Sequence, residues 1–139
     1  MKPFSTAIQH ACLVAGLLAL IVSNVCIADE FTKEDLERWQ KEYMTVVKNG
    51  ENLFHGGLGN KNGVSCDQCH PNAANTHPET YPKFQKQMGK VASLAEMVNW
   101  CIRNPLEGAP LALDDPKMIG LLTYITHERR GVALAPGKH

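Results

Sequence analysis

The chain has 139 residues, with 14 basic and 14 acidic side chains and a formal net charge of zero. That length accommodates one domain rather than two. No basic stripe points to nucleic acid, and no run of like charge points to an interaction tail.

The first segment reads as an address. Lys2 supplies a short basic start, Ala11 to Val25 is apolar with few interruptions, and Cys26-Ile27-Ala28 places small residues for cleavage before Asp29. The apolar run is shorter than the ~20 residues needed to span a bilayer, and acidic sequence follows it directly. An uncleaved anchor is therefore disfavoured, as is lipidation at Cys26, where Val25 is a poor preceding residue. The expectation is a signal peptide over 1–28, cleaved near Ala28, a periplasmic mature domain over 29–139, and no membrane span after cleavage. Cleavage takes Cys12 and Cys26 with it, so five cysteines become Cys66, Cys69 and Cys101. In an oxidising compartment an odd count demands a role for the third thiol.

Thr32-Lys33-Glu34-Asp35 predicts a helix start, with Thr32 as cap and an acidic residue at N3. Leu36, Trp39, Tyr43, Val46 and Val47 then recur at helical spacing. Asn49-Gly50 is expected to interrupt this helix, with Glu51 to His55 resuming for a turn or two. Gly56, Gly57, Gly59 and Gly63 form a flexible lead-in. Pro71 to Pro82, with three prolines and small polar residues, reads as loop. Ser93-Leu94-Ala95-Glu96 is a capping box, and Asn104-Pro105 closes the helix it opens. A second loop runs from Pro105 to Leu113. Asp114 or Asp115 caps the last helix with Pro116 at N1, an apolar stripe of Met118, Leu121, Leu122 and Ile125, and Gly131 at C′. No repeat or alternating strand pattern is visible, so the fold class is all-α.

Cys66-Asp67-Gln68-Cys69-His70 is the attachment signature of haem c. Two thiols at this spacing meet the two vinyl groups, and the following imidazole is carried to the iron by the same turn. Attachment takes place outside the cytoplasm, in agreement with the address. A thioredoxin-type motif would need a βαβ pattern. A zinc site from Cys66, Cys69, His70 and Cys101 would have unusual spacing, and a simple disulfide would leave His70 unexplained. One covalent haem is expected, and the low aromatic content suits a core filled by a porphyrin.

Gly50 and Phe54 before the motif and Tyr124 on the last helix resemble the small class I cytochromes c. In that family a glycine and an aromatic of the first helix cross an aromatic of the last. The resemblance implies a small cytochrome c fold of about four helices around the haem. It also implies a methionine as sixth ligand in the loop before the last helix, yet Pro105 to Leu113 contains none. Met118 lies just beyond, and Met88, Met97, His55, His77 and His127 are further candidates, although the histidines read better as solvated or supporting groups. Leu94, Met97, Val98 and Cys101 fall at i, i+3, i+4 and i+7, one face of the capped helix and by pattern the buried one. From the residues alone, Cys101 is either an axial ligand or a buried thiol acting as a small hydrophobe. An intermolecular disulfide fits a buried face less well.

Tyr81-Pro82-Lys83-Phe84, Gly89-Lys90-Val91, Val98-Asn99-Trp100-Cys101 and Arg130-Gly131 resemble, in this order, the C-terminal haem domain of SoxA. SoxA is the cysteine-ligated subunit of a periplasmic sulfur-oxidising cytochrome that pairs with a second cytochrome. The resemblance spans Cys66 to Gly131 and implies Cys101 as axial thiolate opposite His70. Thiosulfate dehydrogenases and small heterodimeric His/Cys cytochromes that bind nitric oxide share the arrangement more loosely. SoxA carries an arginine directly after its cysteine, whereas here Ile102 intervenes before Arg103.

Three functions follow as expectations. The first is periplasmic electron transfer by a monohaem cytochrome with His/Cys ligation, exchanging with a redox partner protein and pairing with a second small cytochrome as a heterodimer. The second is a haem protein in which NO or CO displaces a Cys101 ligand that is labile when the iron is ferrous. The third is the haem subunit of a SoxA-like enzyme of sulfur-compound oxidation. Lys83, Lys86 and Lys90 read as a solvated face, and Arg129 and Arg130 as complements of a helix dipole.

Overall fold

The computed structural model describes residues 30–133. The expected signal peptide, with Cys12 and Cys26, lies outside the described residues. The body begins at Lys33 and forms one compact unit. Its elements run α1 (Lys33–Asn52), β1 (Lys83–Gln85), β2 (Lys90–Ala92), α2 (Leu94–Arg103) and α3 (Pro116–Glu128). Single 3-10 turns lie at Cys66–Gln68, Pro71–Ala73 and Pro78–Thr80. This is a mainly helical, small cytochrome c fold.

α1 begins at Lys33 with Glu34 and Asp35 in its first turn, where carboxylates favour the positive end of the dipole. It does not break at Asn49-Gly50, contrary to the sequence expectation. The helix runs through to Asn52, because Gly50 is where α3 crosses. A Cβ on Gly50 would lie 1.9 Å from the Gly120 carbonyl oxygen and 2.8 Å from Tyr124 Cβ. Gly50 thus admits a neighbouring backbone at a distance no side chain would allow. Beyond Asn52 the helix distorts and ends at Gly56, whose φ of 113° only glycine adopts readily.

The predicted apolar stripe of α1 is only half used. Tyr43 and Val46 are half-buried and Val47 is buried, whereas Leu36 and Trp39 remain 54% and 43% exposed. Length explains this: 20 residues of α1 extend about 30 Å, and the 13 of α3 cover about two thirds of that. Tyr43 marks the last firm contact. Its hydroxyl meets His127 Nδ1 at 3.2 Å and accepts from Arg130 at 2.8 Å, tying the end of α3 to the middle of α1.

α2 opens with the full capping box. Ser93 Oγ accepts from the Glu96 N–H, and the Glu96 carboxylate accepts from the Ser93 N–H at 2.8 Å. α3 is capped by Asp115, which accepts from the Lys117 N–H at 2.8 Å, with Pro116 at N1. Met118, Leu121 and Ile125 are buried and Leu122 half-buried, as their spacing predicts. Gly131 takes a left-handed φ of 73° one position beyond C′.

The antiparallel hairpin of β1 and β2, paired Lys83 with Ala92 and Phe84 with Val91, was not expected. Strands of three residues are too short for alternation to show. The core is formed by Val47, Phe54, Ala73, Ile102, Leu106, Leu121, Tyr124 and Ile125, with Cys66, Leu94 and Val98 packed against it. Among the described residues no helix is long and apolar enough to cross a membrane.

Candidate haem-binding site

A largely apolar cleft of about 410 Å³ opens between the motif turn, the hairpin, α2 and α3. Cys66, Cys69, His70 and Cys101 all lie on its wall, so the four residues singled out in the sequence meet at one place. Phe54, Leu94, Val98, Leu121 and Ile125 supply apolar surface, and Tyr81, Lys83 and Gln85 form a polar side.

The motif turn is built locally. The Cys69 and His70 N–H groups both donate to the Cys66 carbonyl, at 3.3 and 3.0 Å, which brings the two thiols and the imidazole round one short turn. The three cysteines are free thiols. Cys66 is pushed up to about 11, first by burial and then by the nearby charge of Cys101. Burial likewise raises Cys101, followed by the charge of Cys69. Cys101 thus shares the cleft wall with Cys66 and Cys69.

His70 is oriented by its own loop. Its Nδ1–H donates to the Ala74 carbonyl at 2.9 Å, which fixes the tautomer and leaves Nε2 as a free donor atom. The chain reaches that position through left-handed conformations at Asn72 and Ala73, with φ of 47° and 55°. Nothing in the sequence flagged Ala74. Asp67, inside the motif, accepts from Ser65 Oγ and from His55 Nδ1, the latter at 2.9 Å. In that tautomer His55 Nε2 accepts from the buried Tyr124 hydroxyl at 3.3 Å, so the motif turn is braced against α3. Phe54 and Tyr124 stack in a tilted pair with centroids 5.1 Å apart, at the crossing expected from the class I pattern.

Of the other sixth-ligand candidates, Met97 alone lines the cleft, and Met88, Met118, His55, His77 and His127 do not. Met118 is 0% exposed but sits in the core, not on the wall. His55 and His127 are hydrogen-bonded to tyrosines and His77 to Glu79. Met97 shares the wall with Cys101, and its sulfur accepts from Gln87 Nε2 at 3.2 Å. Behind Cys101, the Asn99 carboxamide donates to the Leu111 carbonyl and accepts from the Leu111 N–H, both at 2.8 Å, and so holds the loop from Pro105 to Leu113. Among the described residues no group of three or more His, Cys, Asp or Glu is arranged to hold a metal ion directly.

Two adjacent free thiols, an imidazole with one nitrogen already committed, a third thiol and an apolar wall are a donor set that suits haem c. Cys66 and Cys69 would hold the porphyrin covalently, and His70 and Cys101 would be available to its iron.

The SoxA/TsdA cytochrome c domain matches residues 49–134. A thiosulfate dehydrogenase of Allochromatium vinosum is 30% identical over 83 residues, covering 51% of this chain and 31% of that protein. A thiosulfate dehydrogenase of Psychrobacter arcticus is 26% identical over 73 residues, covering 47% of this chain and 22% of its own length. The chain thus spans less than a third of either relative.

Proposed function

This chain belongs to the SoxA/TsdA cytochrome c domain family, and on that premise we propose that it is an exported one-electron carrier with a single haem c ligated by His70 and Cys101. Family membership itself implies covalently bound haem c. The observation that carries the reading is the meeting of Cys66, Cys69, His70 and Cys101 on one apolar cleft, with His70 Nδ1 already donating to Ala74. The haem would supply a reversible ferric–ferrous couple, and the protein tunes it. Burial keeps a free Cys101 thiol protonated, so the charge of ferric iron is what would release its proton. An anionic sulfur then favours the ferric state and lowers the potential below that of a His/Met cytochrome. Residues 1–28, read as a signal peptide, support periplasmic export of the domain over 29–139.

Potentiometry on wild type and Cys101→Met tests the assignment. The substitution should raise the midpoint potential and remove the thiolate signature from the ferric spectrum. An unchanged potential and spectrum would exclude Cys101 as ligand.

A second reading, the haem subunit of a sulfur-compound oxidising enzyme, draws support from two observations. Both relatives are thiosulfate dehydrogenases, and Lys83 places a cation on the cleft wall near Cys101, although Ile102 stands where SoxA has arginine. Thiosulfate-dependent reduction of an artificial acceptor, alone or with a partner cytochrome, would favour it. No turnover in either case leaves electron transfer as the function.

A further inference from the structure

The hairpin is a wall one strand thick between the cleft and solvent. Along a strand successive side chains point to opposite faces, and directly paired residues share a face. Lys83 and Gln85 line the cleft, and Ala92, opposite Lys83, is 1% exposed. Phe84 and its cross-strand partner Val91 therefore point outward, and they are 64% and 63% exposed. Two large apolar side chains side by side on the outer face of a short hairpin touch each other across the strands but leave most of their surface to water.

Charge singles out the same place. From Tyr81 to Ala92 the sequence has three lysines and no carboxylate, in a chain whose net charge is zero. Lys86 and Lys90 are exposed, at the turn and at the start of β2. Lys90 pairs with Glu96 at 2.6 Å, and Lys83 sits over the Tyr81 ring at 4.5 Å. The Lys86 ammonium makes no ion pair or hydrogen bond among the described residues, while its backbone carbonyl accepts from the Gly89 N–H at 3.3 Å. Lys90, paired with Gln85, shares the cleft-side face and is held by Glu96, so Lys86 is the cation left beside the apolar pair, which suits a partner that is apolar at its centre and acidic at its edge. Complementary charge steers encounter, and the apolar centre holds the pair once formed.

We propose that the outer face of this hairpin, Phe84 and Val91 beside the exposed Lys86 of the turn, docks an electron-transfer protein whose own contact face is apolar at its centre and acidic at its edge. The proposal rests on the electron-carrier reading above and adds where exchange occurs. One electron passes from the partner's reduced centre to the haem behind the hairpin, oxidising the first and reducing the second, with no bond made or broken. Lys86, which the sequence suggested as part of a merely solvated face, would thus flank the contact.

The test is stopped-flow reduction of the ferric holoprotein by a reduced plant-type [2Fe–2S] ferredoxin, an acidic one-electron donor. Phe84→Ser/Val91→Ser and Lys86→Glu should each lower the second-order rate constant about tenfold at low ionic strength, and salt should lower the wild-type value. Ile119→Ser, an exposed apolar position on α3, serves as control and should change it little, and reduction by dithionite should be the same in every variant. Ferredoxin reduction that proceeds at the wild-type rate in the hairpin variants overturns the docking surface and leaves the electron-carrier reading standing. A wild type reduced by dithionite but not by ferredoxin overturns the docking proposal and leaves the electron-carrier reading to the potentiometry above. Sedimentation showing a dimer that Phe84→Ser/Val91→Ser dissolves assigns the face to a second copy of this chain, which also overturns the proposal.

Discussion

The crossing of α1 and α3 should be the most size-sensitive point of the domain. A methyl group on Gly50 would stand 1.9 Å from the Gly120 oxygen and 2.5 Å from its carbonyl carbon, both backbone atoms that cannot rotate away. Ordinary contact needs well over 3 Å, so Gly50→Ala must part the helices by more than an ångström. Overpacking costs about 1–3 kcal/mol, and the rigidity of the obstacle puts this case at the upper end. Replacing a helical glycine returns about 1 kcal/mol, leaving a net loss of about 2 kcal/mol. For a domain of this size that is a fall of about 10 °C in Tm. Gly120→Ala is the internal control, because its methyl group would meet Gly50 N at 3.3 Å and Leu53 Cδ1 at 3.6 Å, so the helical gain nearly offsets the crowding. Thermal and urea unfolding of the holoprotein, followed by far-ultraviolet circular dichroism and the Soret band, gives both values. If Gly120→Ala costs as much as Gly50→Ala, or if Gly50→Ala is neutral, the close crossing is wrong.

Asn99→Ala leaves the Leu111 N–H and carbonyl without their partner and should cost about 1–3 kcal/mol in urea unfolding, whereas loss below 0.5 kcal/mol would show that water replaces both bonds. The Glu96 carboxyl is held down to about 2, chiefly by Lys90 and then by the Ser93 N–H and hydroxyl. Because its folded value lies below that of an unfolded glutamate, about 4.3, it stabilises the fold at neutral pH and loses that effect as pH falls from about 4.5 towards 2. Tm measured against pH should therefore show Glu96→Gln lower than wild type at pH 6 and converging with it near pH 2; a constant gap would contradict this. CO added to the dithionite-reduced protein should shift the Soret band promptly, since a thiolate at Cys101 weakens when the iron loses a positive charge. No shift would mean that both axial positions are held firmly in the ferrous state.

What the sequence determined by itself was chemistry confined to a few neighbouring residues. Cys66, Cys69 and His70 lie within a single turn, Ser93 and Glu96 close a box across three residues, and Asp115 with Pro116 starts a helix using only the next backbone N–H groups. Such features need no distant partner, so their spacing is sufficient. The face of α2 bearing Leu94, Met97, Val98 and Cys101 was legible from periodicity as one face, yet it is half-buried along the cleft wall and not fully buried as expected, the buried residue of the helix being Ile102. Tertiary structure decided everything that depends on a second element. Gly50 looked like a break because glycine disfavours a helix, and it stays helical because another backbone passes against it. Leu36 and Trp39 fit the apolar period of α1 but lie beyond the reach of α3. The hairpin is too short to announce itself, and the Ala74 carbonyl becomes the partner of His70 only because Asn72 and Ala73 turn the chain back upon it. Periodicity states which face of an element is apolar, and only packing states what, if anything, covers that face.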